Sequence, residues 1–306
     1  MKPVIELLRS SLLADFPSGS SINYYQDKLY LVGDDANNLL ILDTNYKRID
    51  TIRLFDYPVK RIPKNQKADL ETSTFITLKG VTYLLVLGSA SLENRKKVIS
   101  IPIINSVPDI NQSLLCDLYS NAFFKQLRSM GIEEVNIEGA TVIGDQLVLS
   151  NRGNISKPHN HLIITKADSL STLGEMSFST ARLVLPVNTK HFAGVSELCY
   201  VEAKNMLLLT LSSEATTNAY DDGAIGDSYV GCIYNIAEKI HQPELKLDEM
   251  HSLPPINKEF QNEKIEGICV ESVNGNELLC HLISDNDRGE SKLFKIKYIA
   301  DGAGRK

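Results

Sequence analysis

A chain of 306 residues, 43% of them apolar, can bury a large core, which excludes a disordered polypeptide. Its net charge of −6 and pI near 5.6 exclude nucleic acid and anionic membrane as main partners, because both require a basic footprint. No run approaches the roughly 18 apolar residues of a membrane span.

In chain order, the first segment, Val4-Ile5-Glu6-Leu7-Leu8, is an isolated apolar strand. Glu6 and Arg9 interrupt its hydrophobicity, so it does not read as a secretory signal, and a cytoplasmic location is expected. Five similar units follow. Each has a short strand, a turn, a very apolar strand ending in small polar residues, and a further apolar strand. The first contains Ser20-Ser21-Ile22-Asn23, then Leu29-Tyr30-Leu31-Val32-Gly33-Asp34-Asp35, then Leu39-Leu40-Ile41-Leu42. The second contains Asp69-Leu70-Glu71, then Leu84-Leu85-Val86-Leu87-Gly88-Ser89, then Val98-Ile99-Ser100-Ile101. Between it and the third unit, Leu115, Leu118, Phe123, Leu127 and Met130 recur at helical spacing, which predicts a strand end and one short helix packed on the rim.

The third unit contains Asn136-Ile137-Glu138-Gly139, then Leu147-Val148-Leu149-Ser150-Asn151, then Leu162-Ile163-Ile164. The fourth contains Val195-Ser196-Glu197-Leu198, then Leu207-Leu208-Leu209-Thr210-Leu211-Ser212-Ser213, then Gly231-Cys232-Ile233-Tyr234. The fifth contains Lys264-Ile265-Glu266-Gly267, then Leu282-Ile283-Ser284-Asp285, then Leu293-Phe294-Lys295-Ile296. Short apolar runs bounded by Gly, Asn and Asp are buried strands. The pattern predicts an all-β chain, a single β-propeller domain over residues 1–306 with five four-stranded blades, six being the alternative count. The last unit lacks a fourth strand, so the N-terminal strand is expected to complete it and close the ring. Cys116, Cys199, Cys232, Cys269 and Cys280 form no C-x-x-C pair and are expected to be reduced thiols.

Consecutive strands of a blade are antiparallel, so the start of the first and the end of the second share one face of the disc. Glu71, Glu138, Glu197 and Glu266 are therefore expected to converge on the axis, with Ser20 or Ser21 in the corresponding place of the first unit. Carboxylates crowded on one axis must protonate, find cationic partners or share a cation. Calcium suits an oxygen-only donor set, whereas zinc is disfavoured because no His or Cys falls at a ring position. Two other readings stand beside it: the glutamates lock neighbouring blades through backbone N–H groups, or they line a metal-free polar pocket. Arg95, Arg152 and Arg288 follow second strands and are candidate anion binders, Arg152 above all. His159 and His161 share one side of a strand and suit a metal pair by spacing alone. The long loop from Ser212 to Gly231, with glycines at 223, 226 and 231, is expected to be a flap over the ring face.

Asn136-Ile137-Glu138-Gly139-Ala140 followed by Leu147 to Asn154, and Lys264-Ile265-Glu266-Gly267 followed by Ser284-Asp285-Asn286, resemble bacterial propellers without an assigned activity and the esterase-like phytases. Gly19-Ser20-Ser21 with Asp34-Asp35, Lys67-Ala68-Asp69 with Glu71, and Lys264 to Gly267 are similar to blades of the calcium-activated nucleotidases (apyrases). That second resemblance implies Ser21, Glu71, Glu138, Ser196 or Glu197, and Glu266 as calcium ligands, with Asp34, Asp35 and Arg152 approaching phosphates. The resulting expectation is a calcium-dependent hydrolase acting on a phosphate-bearing small molecule. Its metal set is Ser21, Glu71, Glu138, Glu197 and Glu266, and its catalytic set is Asp35, Arg152, Asp285 and Arg288. A non-catalytic propeller binding a ligand or a protein, and a lactone or ester hydrolase, are the alternatives. A small molecule on the channel face is the expected partner, and a monomer the expected state.

Overall fold

The computed structural model describes residues 4–171, 176–186, 189, 191–218, 225–286 and 288–300. Five sheets stand around one axis as the blades of a propeller. Blade one comprises Gly19–Tyr25, Lys28–Gly33, Asn38–Asp43 and Arg48–Arg53. Blade two comprises Leu70–Leu78, Val81–Gly88, Val98–Ile104 and a two-residue outer strand, Leu114–Leu115. Blade three has Ile137–Ile143, Gln146–Asn151, Asn160–Lys166 and Ser179–Val184, to which Glu244–Lys246 adds a fifth strand in parallel. Blade four has Ala193–Val201, Met206–Glu214, Ile225–Tyr234 and Glu249–Ser252.

Blade five has Lys264–Asn274, Glu277–Asp285 and Ser291–Ile299, and its outer strand is Ile5–Leu13 from the start of the chain. Ile5 pairs with Tyr298 and Leu13 with Ser291, antiparallel, as the orphan apolar strand predicts. The first and last described strands are thereby held in one sheet, and separating them costs a full ladder of hydrogen bonds. Second strands are the most buried elements, since blades cover both of their faces: Leu29 to Val32, Leu84 to Leu87, and Leu207 to Leu209 are inaccessible to solvent. The helix lies at Asn121–Ser129, capped by Ser120, whose side chain accepts from the Phe123 amide. Phe123 and Leu127 are buried in the core between blades two and three, where the Phe123 ring meets Phe178 edge-on at 5.1 Å.

The loop expected from Ser212 to Gly231 is shorter than its expected bounds, and Thr216 and Asn218 within it line the cavity at the ring face. Ser212 to Glu214 continue the second strand of blade four, and Ile225 onward begins the third. Gly226 and Gly231 are not hinges but points of close approach: a Cβ would stand 2.3 Å from Ser213 Oγ in the first and 2.7 Å from Leu247 Cδ2 in the second. Asp221, Asp222 and Gly223 lie outside the described residues, as does Asp287.

One irregularity recurs in every blade. The pairing of first and second strands slips between Gly19 and Ser21, Leu70 and Thr72, Ile137 and Gly139, Val195 and Glu197, and Ile265 and Gly267. Each slip is a β-bulge, and it leaves Ser20, Glu71, Glu138, Ser196 and Glu266 as the extra residues at one height. Next to the bulge in blade four, Glu197 is 1% exposed and reaches across the axis. Its Oε1 accepts from Thr72 Oγ1 at 2.8 Å, Ala140 N at 3.1 Å and Leu198 N at 3.0 Å, and its Oε2 from Ser21 Oγ at 2.7 Å. One carboxylate thus joins blade four to blades one, two and three. Burial pushes its pKa well above the carboxylate range, against the pull of those four donors.

At the seam where blade five meets blade one, His281 is fully buried, with Nδ1 3.0 Å from Tyr46 Oη and Nε2 2.8 Å from Glu271 Oε2. Burial lowers its pKa to about 4, more than Glu271 raises it.

Glu197→Ala removes the acceptor of the Thr72 and Ser21 hydroxyls and the Ala140 and Leu198 amides, and should cost about 3 kcal/mol or more by urea unfolding. A cost below about 1 kcal/mol contradicts the bridging role. His281 is neutral when folded and has a depressed pKa, so its contribution is complete above the unfolded value and is lost as pH falls from about 6.5 towards 4. Over that window His281→Gln should gain on the parent, by up to about 3 kcal/mol in urea titrations at stepped pH. A pH-independent difference contradicts a neutral buried imidazole.

Candidate functional site

Four of the five bulges, at Ser20, Glu71, Glu138 and Glu266, bring their side chains to one end of the channel, where they line a polar cavity of about 80 Å³, while Ser196 turns to Arg152 and Ser212. Carboxylate oxygens of Glu71, Glu138 and Glu266 lie within 4.8 Å of one another. A second set, Asp34, Asp69 and Glu71, meets the same limit and shares Glu71 with the first.

Of the two serines expected in blade one the bulge takes Ser20, and the expected metal set is corrected at Ser21 and Glu197. In blades one and four the bulged residue is Ser20 and Ser196, one place earlier than Ser21 and Glu197. Those two are bonded to each other beneath the ring. Ser20 Oγ donates to Leu70 O at 2.5 Å, and Ser196 Oγ lies 3.1 Å from Ser212 Oγ. The axis thus carries a Ser-Glu-Glu-Ser-Glu ring, and only its three glutamates converge.

Residues two places before each bulge supply the surroundings. They are Ser18, Asp69, Asn136, Gly194 and Lys264. Asn136 Nδ2 donates to Glu138 Oε1 at 2.6 Å. Asp69 takes Lys67 Nζ at 2.7 Å on one oxygen, and Arg95 Nη1 at 2.8 Å with Ser89 Oγ at 2.6 Å on the other. Lys67 Nζ also bonds Asp34. Lys264 Nζ stands 3.2 Å from Glu266 Oε1 and 3.3 Å from Glu214 Oε2. Gly194 makes room for Arg152: a Cβ there would lie 2.4 Å from the guanidinium Nε.

Arg152 is buried behind the ring. Its Nη1 donates to Ser196 Oγ and Ser212 Oγ, both at 3.0 Å, and its Nη2 to Ser212 O at 3.1 Å. Its charge faces Glu138 at 3.8 Å and Glu214 at 3.5 Å.

The electrostatics follow from crowding of buried charges. Burial pushes the Glu71 pKa well above the carboxylate range, and Asp69, Glu138 and Asp34 add to it. Burial raises Glu138 to about 8, with Arg152 pulling down and Glu266 pushing up. Burial raises Asp34 to about 7 against the attraction of Lys67. The cations respond in reverse. Burial disfavours the Lys264 ammonium, but Glu266 and Glu214 outweigh it and hold its pKa well above the usual lysine value. Arg152 is likewise raised, burial opposing and Glu138 and Glu266 prevailing. Glu266 Oε1 is buried and has no hydrogen-bond partner among the described residues.

Beyond its lysine and arginine partners, such a site has two further options at neutral pH: to share protons, or to share a cation. Two oxygens on one calcium ion, each at 2.3–2.6 Å, can lie at most about 5 Å apart, which the observed spacing satisfies. The donor set is oxygen only, so it suits a hard cation.

Of the four residues expected to be catalytic, Asp285 lines the cavity and Arg152 borders it through Glu138. Asp35 does not line it; it is buried to one side in an ion pair with Arg61 at 2.7 Å. Arg288 is exposed and away from it. Arg95 lines it through Asp69. The His159 and His161 rings lie 6.3 Å apart on blade three and join no acidic cluster among the described residues. Sequence reasoning assigned no role to Lys67, Asp69, Asn136, Glu214 or Lys264. The constant offset of minus two from the bulge was a usable signal for three of them.

Comparison with known proteins adds the following. No curated protein matches the chain. Among solved structures, Myxococcus xanthus glutaminyl cyclase is similar at 13% identity and a TM-score of 0.53, covering 98% of this chain and 100% of that one. A luciferin-regenerating enzyme matches at 10% identity and a TM-score of 0.44, covering 98% and 96% of the two chains. The GH43 protein BlXynB of Bacillus licheniformis matches at 10% and 0.49, covering 97% of this chain and 58% of that one. At these identities the likeness concerns the fold alone. Among the described residues, no helix is long and apolar enough to cross a membrane. Residues 15–298 match a family of unknown function, DUF6929, and the chain belongs to that family.

Proposed function

We propose that Glu71, Glu138 and Glu266 hold one divalent cation, calcium by its donor chemistry, and that the protein uses this centre to hydrolyse a small phosphate-bearing molecule at the channel face. The observation that carries the reading is the meeting of three carboxylates, one from each of three blades, within 4.8 Å at the floor of a cavity. An ion bound there would polarise a phosphoryl oxygen and acidify a water molecule. The chain's own residues do the rest. Asn136 fixes the Glu138 carboxylate, and Arg152 holds Glu138 and Glu214 in place from behind. Lys67 and Arg95 fix Asp69 at the cavity wall, where Asp285 also stands.

The neighbouring acidic set is already served by a cation, since Lys67 bonds both Asp34 and Asp69. One ion rather than two is therefore expected.

A second reading is a propeller that binds a small ligand without turning it over. It is favoured by one observation: Lys67, Arg95, Arg152 and Lys264 are each paired with a carboxylate, so an incoming phosphate must rely on the metal for its charge. Ester and lactone hydrolysis use the same metal chemistry on a less charged substrate.

Calcium at about one hundred times its Kd should stabilise the parent by about 2.7 kcal/mol over the chelated protein. Calorimetry should give a stoichiometry of one. Glu138→Gln should lose this stabilisation while still folding. A melting temperature indifferent to both chelator and calcium contradicts the cation reading. With calcium present, a panel of nucleotides, sugar phosphates, inositol phosphates and simple esters should include a hydrolysed compound, and Glu71→Gln should abolish its turnover. Calcium binding with no turnover across the panel leaves the non-catalytic reading in place.

A further inference from the structure

Lys264 sits two residues before Glu266 on the inner strand of blade five, and its ammonium lies between two carboxylates. Glu266 belongs to the axial trio, whereas Glu214 stands at the cavity wall beside Arg152. The contact with Glu266 Oε1 is an ion pair at 3.2 Å without hydrogen-bond geometry, so this buried oxygen is neutralised but not directed. Lys67 is a contrast within the same cavity, because it makes close contacts to both Asp34 and Asp69. Lys264 is therefore the loosely engaged cation of the pair, and it is engaged on an oxygen of the trio.

We propose that Lys264 is a tethered competitor for the cation centre, holding Glu266 when no ion is bound and moving onto Glu214 when a divalent ion takes Glu71, Glu138 and Glu266. This rests on the cation reading above and adds what sets its affinity and selectivity. A monovalent ion entering the trio replaces one positive charge with another and gains little. A divalent ion brings one more positive charge to the three carboxylates than the ammonium it displaces, which repays the displacement. Glu214 is the other half of the device: it gives the displaced ammonium a carboxylate 3.3 Å from where it already lies. The side chain has only to give up one of two existing contacts.

The test is calcium calorimetry on the chelator-treated parent, Lys264→Met and Glu214→Gln, with and without added sodium or potassium chloride. Circular dichroism and melting with calcium present check that each is folded. Lys264→Met should bind calcium about tenfold or more tightly than the parent, a change of about 1.4 kcal/mol. Its binding should also become sensitive to sodium and potassium beyond the effect of general screening. Glu214→Gln, which removes the resting place, should bind several-fold more weakly than the parent. Should Lys264→Met fail to fold, the Glu214→Gln result decides the matter. A parent that binds calcium while Lys264→Met binds equally or more weakly, or while Glu214→Gln is unchanged, overturns the competitor role and leaves the cation centre standing. No binding in any of the three proteins overturns the cation centre and this inference with it.

Discussion

Five bulges at one height are the constraint on which the channel face depends. An inner strand of regular pleat would alternate its side chains between the two neighbouring blades, and none would be delivered to the axis as an extra residue. The bulge breaks that alternation once per blade at the same place, and so it sets which side chain meets its counterparts. The consequence is a forced convergence: residues at that position are crowded at one end of the channel whatever their charge. Serine occupies it in blades one and four, and glutamate in the other three.

The charge pattern around the ring reads as compensation for that convergence. Four basic groups, Lys67, Arg95, Arg152 and Lys264, are drawn into ion pairs with the acidic residues of this end of the channel. Their service is uneven. Asp69 is saturated by Lys67, Arg95 and Ser89, and Glu138 is held by Asn136 and Arg152. Glu266 retains a buried oxygen without a hydrogen bond. Below the ring, Glu197 follows a different logic. It draws four donors from four blades and serves as a transverse tie. A carboxylate with four donors needs no further partner, whereas one left with an open oxygen in a cavity still has coordination to offer.

Most of the architecture was legible in the sequence because it is written in hydrophobic runs. The orphan strand Val4 to Leu8 had no partner in its own neighbourhood, and Tyr298 marked a blade with one strand too few; the closure at Ile5 and Tyr298 follows from those two facts. The helix around Phe123 was equally plain, because its spacing broke the period of two. The ring was legible only in part. Glu71, Glu138 and Glu266 each precede a Thr or Gly at the bulge, and the repeat exposes them. In blade four the eye takes the glutamate of Ser196-Glu197, yet the bulge takes the serine. Register at a bulge depends on the partner strand, and a single strand's sequence does not contain it. The loop of blade four was drawn too long for a related reason: Ser212 to Glu214 and Ile225 to Ser228 are largely polar, but they pair with each other, and Gly226 and Gly231 answer to Ser213 and Leu247 rather than to a hinge. The ion pairs of Lys67 and Lys264 were hidden because a lysine two residues before an Asp or Glu is ordinarily in a solvated pair, and only the closed ring buries it.

The central claim, a cation at the meeting point of three blades, is tested most directly by a high-resolution crystal structure of the protein grown with calcium. The account predicts a peak on the axis bonded to oxygens of Glu71, Glu138 and Glu266 at about 2.3–2.6 Å, with the Lys264 ammonium turned away from Glu266 and onto Glu214. A calcium-grown crystal in which that position holds only water, with the Lys264 ammonium still against Glu266, would contradict it.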